Sequence, residues 1–161
     1  MNLKSFFSGV WDIVKFGLVV LIIVFPIRMY VAQPFIVSGE SMAPTFESGD
    51  YLIIDELTYN FIREPQKGEV IVFRYPQDPS KFFIKRVVGL PGEELNVDRR
   101  EWKLGPDEYF VVGDNTKSSL DSRYWGPLPR KNIIGRTLLR LWPPTAFAYI
   151  PGKAEPAASL W

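Results

Sequence analysis

The chain has 161 residues, 47% of them hydrophobic and 23% charged, and a formal net charge of +1. This suits one folded domain plus an accessory segment, argues against disorder, and gives bulk electrostatics no reason to bind nucleic acid. With no cysteine and no histidine, disulfides, thiol nucleophiles, thiolate metal sites and a Ser-His-Asp triad are excluded, so acyl transfer would need a lysine, a carboxylate or the amino terminus as its base.

In chain order, the first feature is an uninterrupted apolar run from Phe16 to Ile27. As a helix it rises only about 18 Å, short of the roughly 30 Å bilayer core. Extended to 13–31 it reaches about 28 Å, with Lys15 and Arg28 near enough to the ends to snorkel. Trp11 and Tyr30 flank it as interfacial aromatics do. The other reading is a buried core helix, for which a small strand-rich domain has little use. A cleaved leader fits poorly, because a cut between Ala32 and Gln33 would put Tyr30, which is too large, at −3. The expectation is an uncleaved anchor over 1–32.

From Gln33 the pattern changes to short strand-like runs broken by turn residues, in keeping with 14 prolines and 12 glycines. Strands are expected at Phe35–Val37, Tyr51–Asp55, Glu69–Tyr75, Phe82–Val88, Glu108–Val112 and Ile133–Trp142. Turns fall at Ser48-Gly49-Asp50, Pro91-Gly92, Gly113-Asp114-Asn115 and Pro143-Pro144. Residues 33–150 form the expected domain, and 151–161, rich in proline and alanine, a flexible tail.

Three segments carry candidate chemistry. In Gly39-Glu40-Ser41-Met42-Ala43-Pro44-Thr45 a serine sits where the chain turns sharply; alone, such a serine is more often structural than nucleophilic. In Lys85-Arg86-Val87-Val88-Gly89-Leu90-Pro91-Gly92, strand alternation puts Lys85 on one face with Phe83 and Val87, and Arg86 on the other. A lysine there is either an edge-strand gatekeeper or a base whose amine is neutralised by desolvation. Unperturbed, only about one lysine in 2,500 is neutral at pH 7. The third segment, Gly113 to Gly126, is dense in Asp, Asn, Ser and Arg and reads as a loop held by side-chain hydrogen bonds, with Asp121 and Arg123 paired. It lacks the ligand spacing of a calcium loop.

Taken together and in this order, these segments resemble the type I signal peptidase family, from about Ala32 to Trp142. The Ser-Met-x-Pro-Thr box, the Gly49-Asp50 turn, the Lys-Arg-Val-x-Gly-x-Pro-Gly box and the Gly-Asp-Asn…Ser-x-Asp-Ser-Arg box all appear. The resemblance implies a mainly β, signal-peptidase/LexA-like catalytic domain preceded by one N-terminal transmembrane helix. It implies Ser41 as nucleophile and donor of a backbone N–H to the oxyanion, Lys85 as general base, and Ser119 as the hydroxyl orienting the amine. Asp121 and Arg123 would stiffen the loop, and Phe35, Val37, Met42 and Ile84 would line shallow pockets for small residues at −1 and −3. Implied partners are signal-peptide-bearing preproteins and membrane lipid, with no cofactor, metal or nucleic acid, for a monomer anchored once in the cell membrane with its catalytic domain outside.

The chain departs from the family pattern at three places. Gly39 stands where some members supply a second oxyanion donor from serine, Glu93 replaces an aspartate after Pro-Gly, and Ser118 replaces a common asparagine. Other readings are a peptidase dedicated to one substrate, a self-cleaving LexA-type protease, or an idle anchored binding domain. The self-cleaving type cuts at Ala-Gly or Cys-Gly, and neither pair occurs here.

Overall fold

A computed structural model describes residues 3–26, 33–150 and 152. Helix α1, Leu3–Pro26, comes first, and every side chain described on it, from Trp11 to Ile23, is exposed. Among the described residues no helix is long and apolar enough to cross a membrane. The expected span, 13–31, runs on into 27–32, which lie outside the described residues.

The rest is mainly β. Strands β1 (Gln33–Ile36), β2 (Tyr51–Asp55), β3 (Val70–Tyr75) and β4 (Asp78–Gly89) are followed by a small hairpin, β5 (Glu94–Val97) and β6 (Arg100–Lys103). Then come β7 (Glu108–Val112), the short helix α2 (Ser122–Trp125), β8 (Leu128–Pro129), β9 (Ile133–Trp142) and β10 (Ala148–Tyr149). The large sheet runs β1-β2-β9-β3-β4-β7-β8, with β10 also on β9, and every pairing is antiparallel.

The central strand β3 explains how the core is divided. Its apolar run Val70-Ile71-Val72-Phe73 is buried on both faces, the pattern of a strand covered twice. Val70 and Val72 pack with Val37, Met42, Phe46, Leu52 and Ile84. Ile71 and Phe73 point the other way, into a cluster with Tyr59, Val87, Tyr109 and Leu128. The sheet thus carries one core on each side, and the ends of both approach β4.

The expected strands all form, β2, β7 and β9 with the expected limits and β1, β3 and β4 with shifted ones. β1 ends at Ile36, so Val37 lies just beyond it, still bonded through its N–H to Asp50 O at 3.0 Å. β4 is longer than Phe82–Val88 at both ends. The hairpin β5–β6, β8 and β10 were not expected. Of the tail, Gly152 is described; it is buried, and its carbonyl accepts from Val70 N at 2.7 Å. Residues 153–161, and with them the expected flexibility, lie outside the described residues.

Candidate active site

Lys85 sits on β4 where the strand changes company. β3 pairs with β4 from Phe82 to Arg86, whereas β7 joins on the other side only from Arg86 onward. Residues 80–85 therefore have one open backbone edge among the described residues. Among the described residues β1 pairs with β2 alone and is open on its far side. Phe35 and Ile36 of β1 and residues 82–85 of β4 line one cleft, so the two open edges flank it.

Ser41 and Lys85 meet in this cleft. The Lys85 Nζ lies 2.6 Å from Ser41 Oγ and donates to Ile84 O at 2.8 Å. Lys85 is 4% exposed, with its amine over the Phe83 ring at 5.4 Å from the centroid, as the shared strand face requires. Burial lowers its pKa from 10.5 to about 8, against an opposing pull from Asp121 and Asp114. An ammonium so placed loses solvation that two carboxylates only partly restore. The amine can therefore be neutral in a useful fraction of molecules near neutral pH.

The turn that carries Ser41 has its own local logic. Gly39 has φ +90°, a conformation that glycine adopts without cost and a side chain does not. Ser41 N–H carries no hydrogen bond among the described residues, while Ser41 O accepts from Asn115 N at 3.0 Å. The serine is thus fixed by its carbonyl and keeps its N–H available. A donor so presented can stabilise a developing oxyanion.

The loop after β7 supports this arrangement from below. Asp121, fully buried, accepts from Gly113 N at 3.0 Å, from Ser119 Oγ at 2.6 Å and from Arg123 Nε at 2.8 Å. It also caps α2 by accepting from Arg123 N at 3.3 Å. The pair Asp121–Arg123 is therefore present. Ser119 is buried beside Gly113, but its hydroxyl is directed to Asp121, and among the described residues it makes no hydrogen bond with Lys85. Its link to the amine runs through the Asp121 carboxylate, whose field holds the amine's pKa up.

Gly113 is the close-approach point. A Cβ there would lie 2.2 Å from Ser119 Oγ and 2.5 Å from Ser41 O. Gly113→Ala must displace the backbone that positions Ser41. The expected result is a loss of about 1–3 kcal/mol of stability, read by urea unfolding, and of about 10²-fold in any kcat/KM that depends on the Ser41 hydroxyl.

Of the four expected pocket residues, Phe35 and Ile84 line the cleft. Val37 and Met42 do not: they are 2% and 0% exposed and belong to the core beneath it. Met42 is drawn inward by a turn closed by Phe46 N–H to Met42 O at 2.9 Å. The cleft wall is completed by Ile36, Phe82 and Leu120, all substantially exposed. Phe82 and Leu120 flank motif residues in sequence, and an apolar side chain on an open edge was the available signal for Phe82.

A family model described as "Signal peptidase, peptidase S26" matches residues 10–101 and 94–142. A probable signal peptidase I-1 from Synechocystis sp. is 33% identical, over 89% of this chain and 93% of its own. The signal peptidase I of Leptolyngbya laminosa is 38% identical over 73% of this chain and 72% of its own. The chain belongs to the signal peptidase S26 family. A third relative, a probable signal peptidase I-2 from Synechocystis sp., is 34% identical over 84% of this chain and 74% of its own. Within this S26 chain, Ser41 and Lys85 are contributed by separate elements, the turn after β1 and the open half of β4.

One further contact was not anticipated. Arg86, on the face of β4 opposite Lys85, makes a bidentate pair with Asp114 at 2.8 and 2.6 Å, with both side chains almost wholly buried. Thr45 Oγ1, four residues past Ser41, donates to the same Asp114 carboxylate. Strand β4, the turn that carries Ser41 and the loop after β7 are joined at this carboxylate.

Proposed function

We propose that the protein is a serine endopeptidase that removes signal peptides from exported preproteins, with Ser41 as nucleophile and Lys85 as general base. The observation that carries this reading is the 2.6 Å approach of Lys85 Nζ to Ser41 Oγ in a cleft flanked by two open strand edges. An extended peptide fits such edges by adding a strand between them, with alternate side chains entering the cleft walls. Phe35 and Ile84 supply apolar contact for small residues at −3 and −1.

The neutral Lys85 amine takes the proton of Ser41 as Oγ attacks the scissile carbonyl carbon. The oxygen that gains the negative charge is met by Ser41 N–H. Lys85 then gives its proton to the departing amine, and the C–N bond breaks to leave an acyl-enzyme. Water loses a proton to Lys85, attacks the ester, and the proton returns to Ser41 as the signal peptide leaves. Asp121, held by Ser119 and Arg123, is the fixed charge beside the amine throughout.

The anchor belongs to this proposal. Ile13, Phe16, Leu18, Leu21, Ile22 and Ile23 of α1 are each more than half exposed, and a helix apolar on all sides is suited to lipid. The reading is a single-pass protein over 13–31 with residues 33–150 outside the cell membrane, acting as a monomer in contact with lipid. Tethering enzyme and substrate to one surface raises their effective concentration.

The test is incubation of the full chain with a panel of preproteins and mass-spectrometric mapping of the cuts. Cuts after small-x-small sequences in many substrates support the general peptidase; a single cut substrate supports a dedicated enzyme; no cut overturns the reading. Because the base must be neutral, kcat/KM is expected to rise about tenfold per pH unit below about 8 and level above it. A profile flat from pH 6 to 9 would remove Lys85 from the role.

A further inference from the structure

The groove that would receive the substrate does not end at the dyad. Beyond Phe35, Ile36 and Phe82, which it shares with the cleft, it continues over Gln33, Pro34, Ile54, Val72 and Glu56. Its walls are apolar apart from Gln33 at the rim and Glu56.

Glu56 has no role in the fold that its contacts reveal. Its side chain makes no hydrogen bond or ion pair among the described residues, and its Oε1 is sealed from solvent without a donor. Its neighbour Asp55 shows the contrast, accepting from Thr58 N at 3.0 Å, Thr58 Oγ1 at 2.6 Å and Arg136 Nε at 3.0 Å. Burial raises the Glu56 carboxyl above its ordinary range, and the Arg74 charge lowers it only in part. A carboxylate left unpaired inside an apolar groove is costly, and a donor supplied by a bound molecule would relieve that cost.

The direction of the substrate follows from chain connectivity and rests on the function proposed above. The protein's own chain runs from α1 through β1 to Ser41. A signal peptide also runs from its apolar core to the scissile bond, so it would lie parallel to β1. With −3 against Phe35, two residues further back along a strand is about 7 Å. That sets −5 against Gln33 and, by alternation, on the same face as −3 and −1.

We infer that this groove is the subsite for the residue at −5, and that Glu56 selects there a side chain with a long apolar stem and a cationic or donor tip, lysine above all, while rejecting an acidic one. The walls would cover the methylenes and the carboxylate would meet the ammonium.

The experiment compares kcat/KM for preproteins identical except at −5, carrying Lys, Gln, Leu or Glu, with the full-chain protein and with Glu56→Gln and Glu56→Lys. The wild type is expected to favour Lys over Glu by about tenfold. Glu56→Gln should bring that ratio within about twofold, and Glu56→Lys should invert it. If the wild type cuts these preproteins with a Lys-to-Glu ratio within about twofold, or if the ratio persists in both variants, the Glu56 assignment falls while the peptidase reading stands. If the wild type cuts none of them, the peptidase reading itself falls. Glu56→Lys decides the matter should Glu56→Gln fail to fold.

Discussion

Lys85→Arg is expected to lower kcat/KM for preprotein cleavage by at least about 10⁴-fold, and Ser41→Ala by as much. A guanidinium keeps its proton at any usable pH, so Lys85→Arg retains a donor and charge but loses the base. Because the two groups act as one unit, the double variant should be no worse than either single one. Lys85→Met should be equally inactive yet more stable. The folded protein binds the Lys85 proton with a pKa of about 8, against 10.5 for an unconstrained lysine. Between those values the unfolded chain binds more protons, so stability rises with pH through the window. Below about 8 the whole cost is present, on the order of 3 kcal/mol. Methionine removes it, less what is lost with the contacts to Ser41 Oγ and Ile84 O. Urea unfolding at pH 7 should therefore show a raised midpoint for Lys85→Met, and its stability should lose the rise with pH above 8. Activity of Lys85→Arg within tenfold of wild type would overturn the dyad mechanism.

The parts of this site that were legible in the sequence are those fixed by local geometry. Strand alternation alone placed Lys85 beside Phe83 and turned Arg86 away, and the ring contact and the opposite course of Arg86 agree with it. Turn chemistry at Gly39 and the pairing of Asp121 with Arg123 are likewise local. The inward course of Val37 and Met42 was not legible, because β1 stops at Ile36 and the following turn folds both side chains into the core. The hairpin β5–β6 left little signal: its residues Glu94, Arg100, Glu101 and Lys103 are exposed and charged, and its turn uses Asp98 and Arg99 at φ 51° and 61° where glycine or asparagine would announce it. The Arg86–Asp114 pair joins residues 28 apart in sequence, so no periodicity could disclose it. The same holds for Glu56, whose interest lies in the partners it lacks.

Arg86→Met is expected to cost about 3–5 kcal/mol, a large part of the 5–15 kcal/mol that holds a typical domain folded. The reason is what would be left behind. Asp114 is 6% exposed, and without Arg86 its charge would keep only the Thr45 hydroxyl as a side-chain partner among the described residues. Asp114→Leu should be comparably harmful, because it strands the guanidinium instead, with Gly68 O at 2.8 Å as a remaining acceptor. Removing both charges in Arg86→Met/Asp114→Leu should cost less than the sum of the single changes, since neither ion is then left alone. Urea unfolding of the four proteins measures this coupling directly. Activity separates the pair's two roles. Thr45→Val deletes the link between the nucleophile turn and Asp114 but keeps the ion pair, so its stability loss should stay near 1 kcal/mol while misplacement of Ser41 lowers kcat/KM by about 10²-fold. An Arg86→Met protein that unfolds at the wild-type midpoint would show that the carboxylate is not held charged in the core. A Thr45→Val protein with wild-type kcat/KM would show that the turn positions Ser41 without Asp114, through bonds such as Asn115 N to Ser41 O and Arg140 Nη2 to Thr45 O.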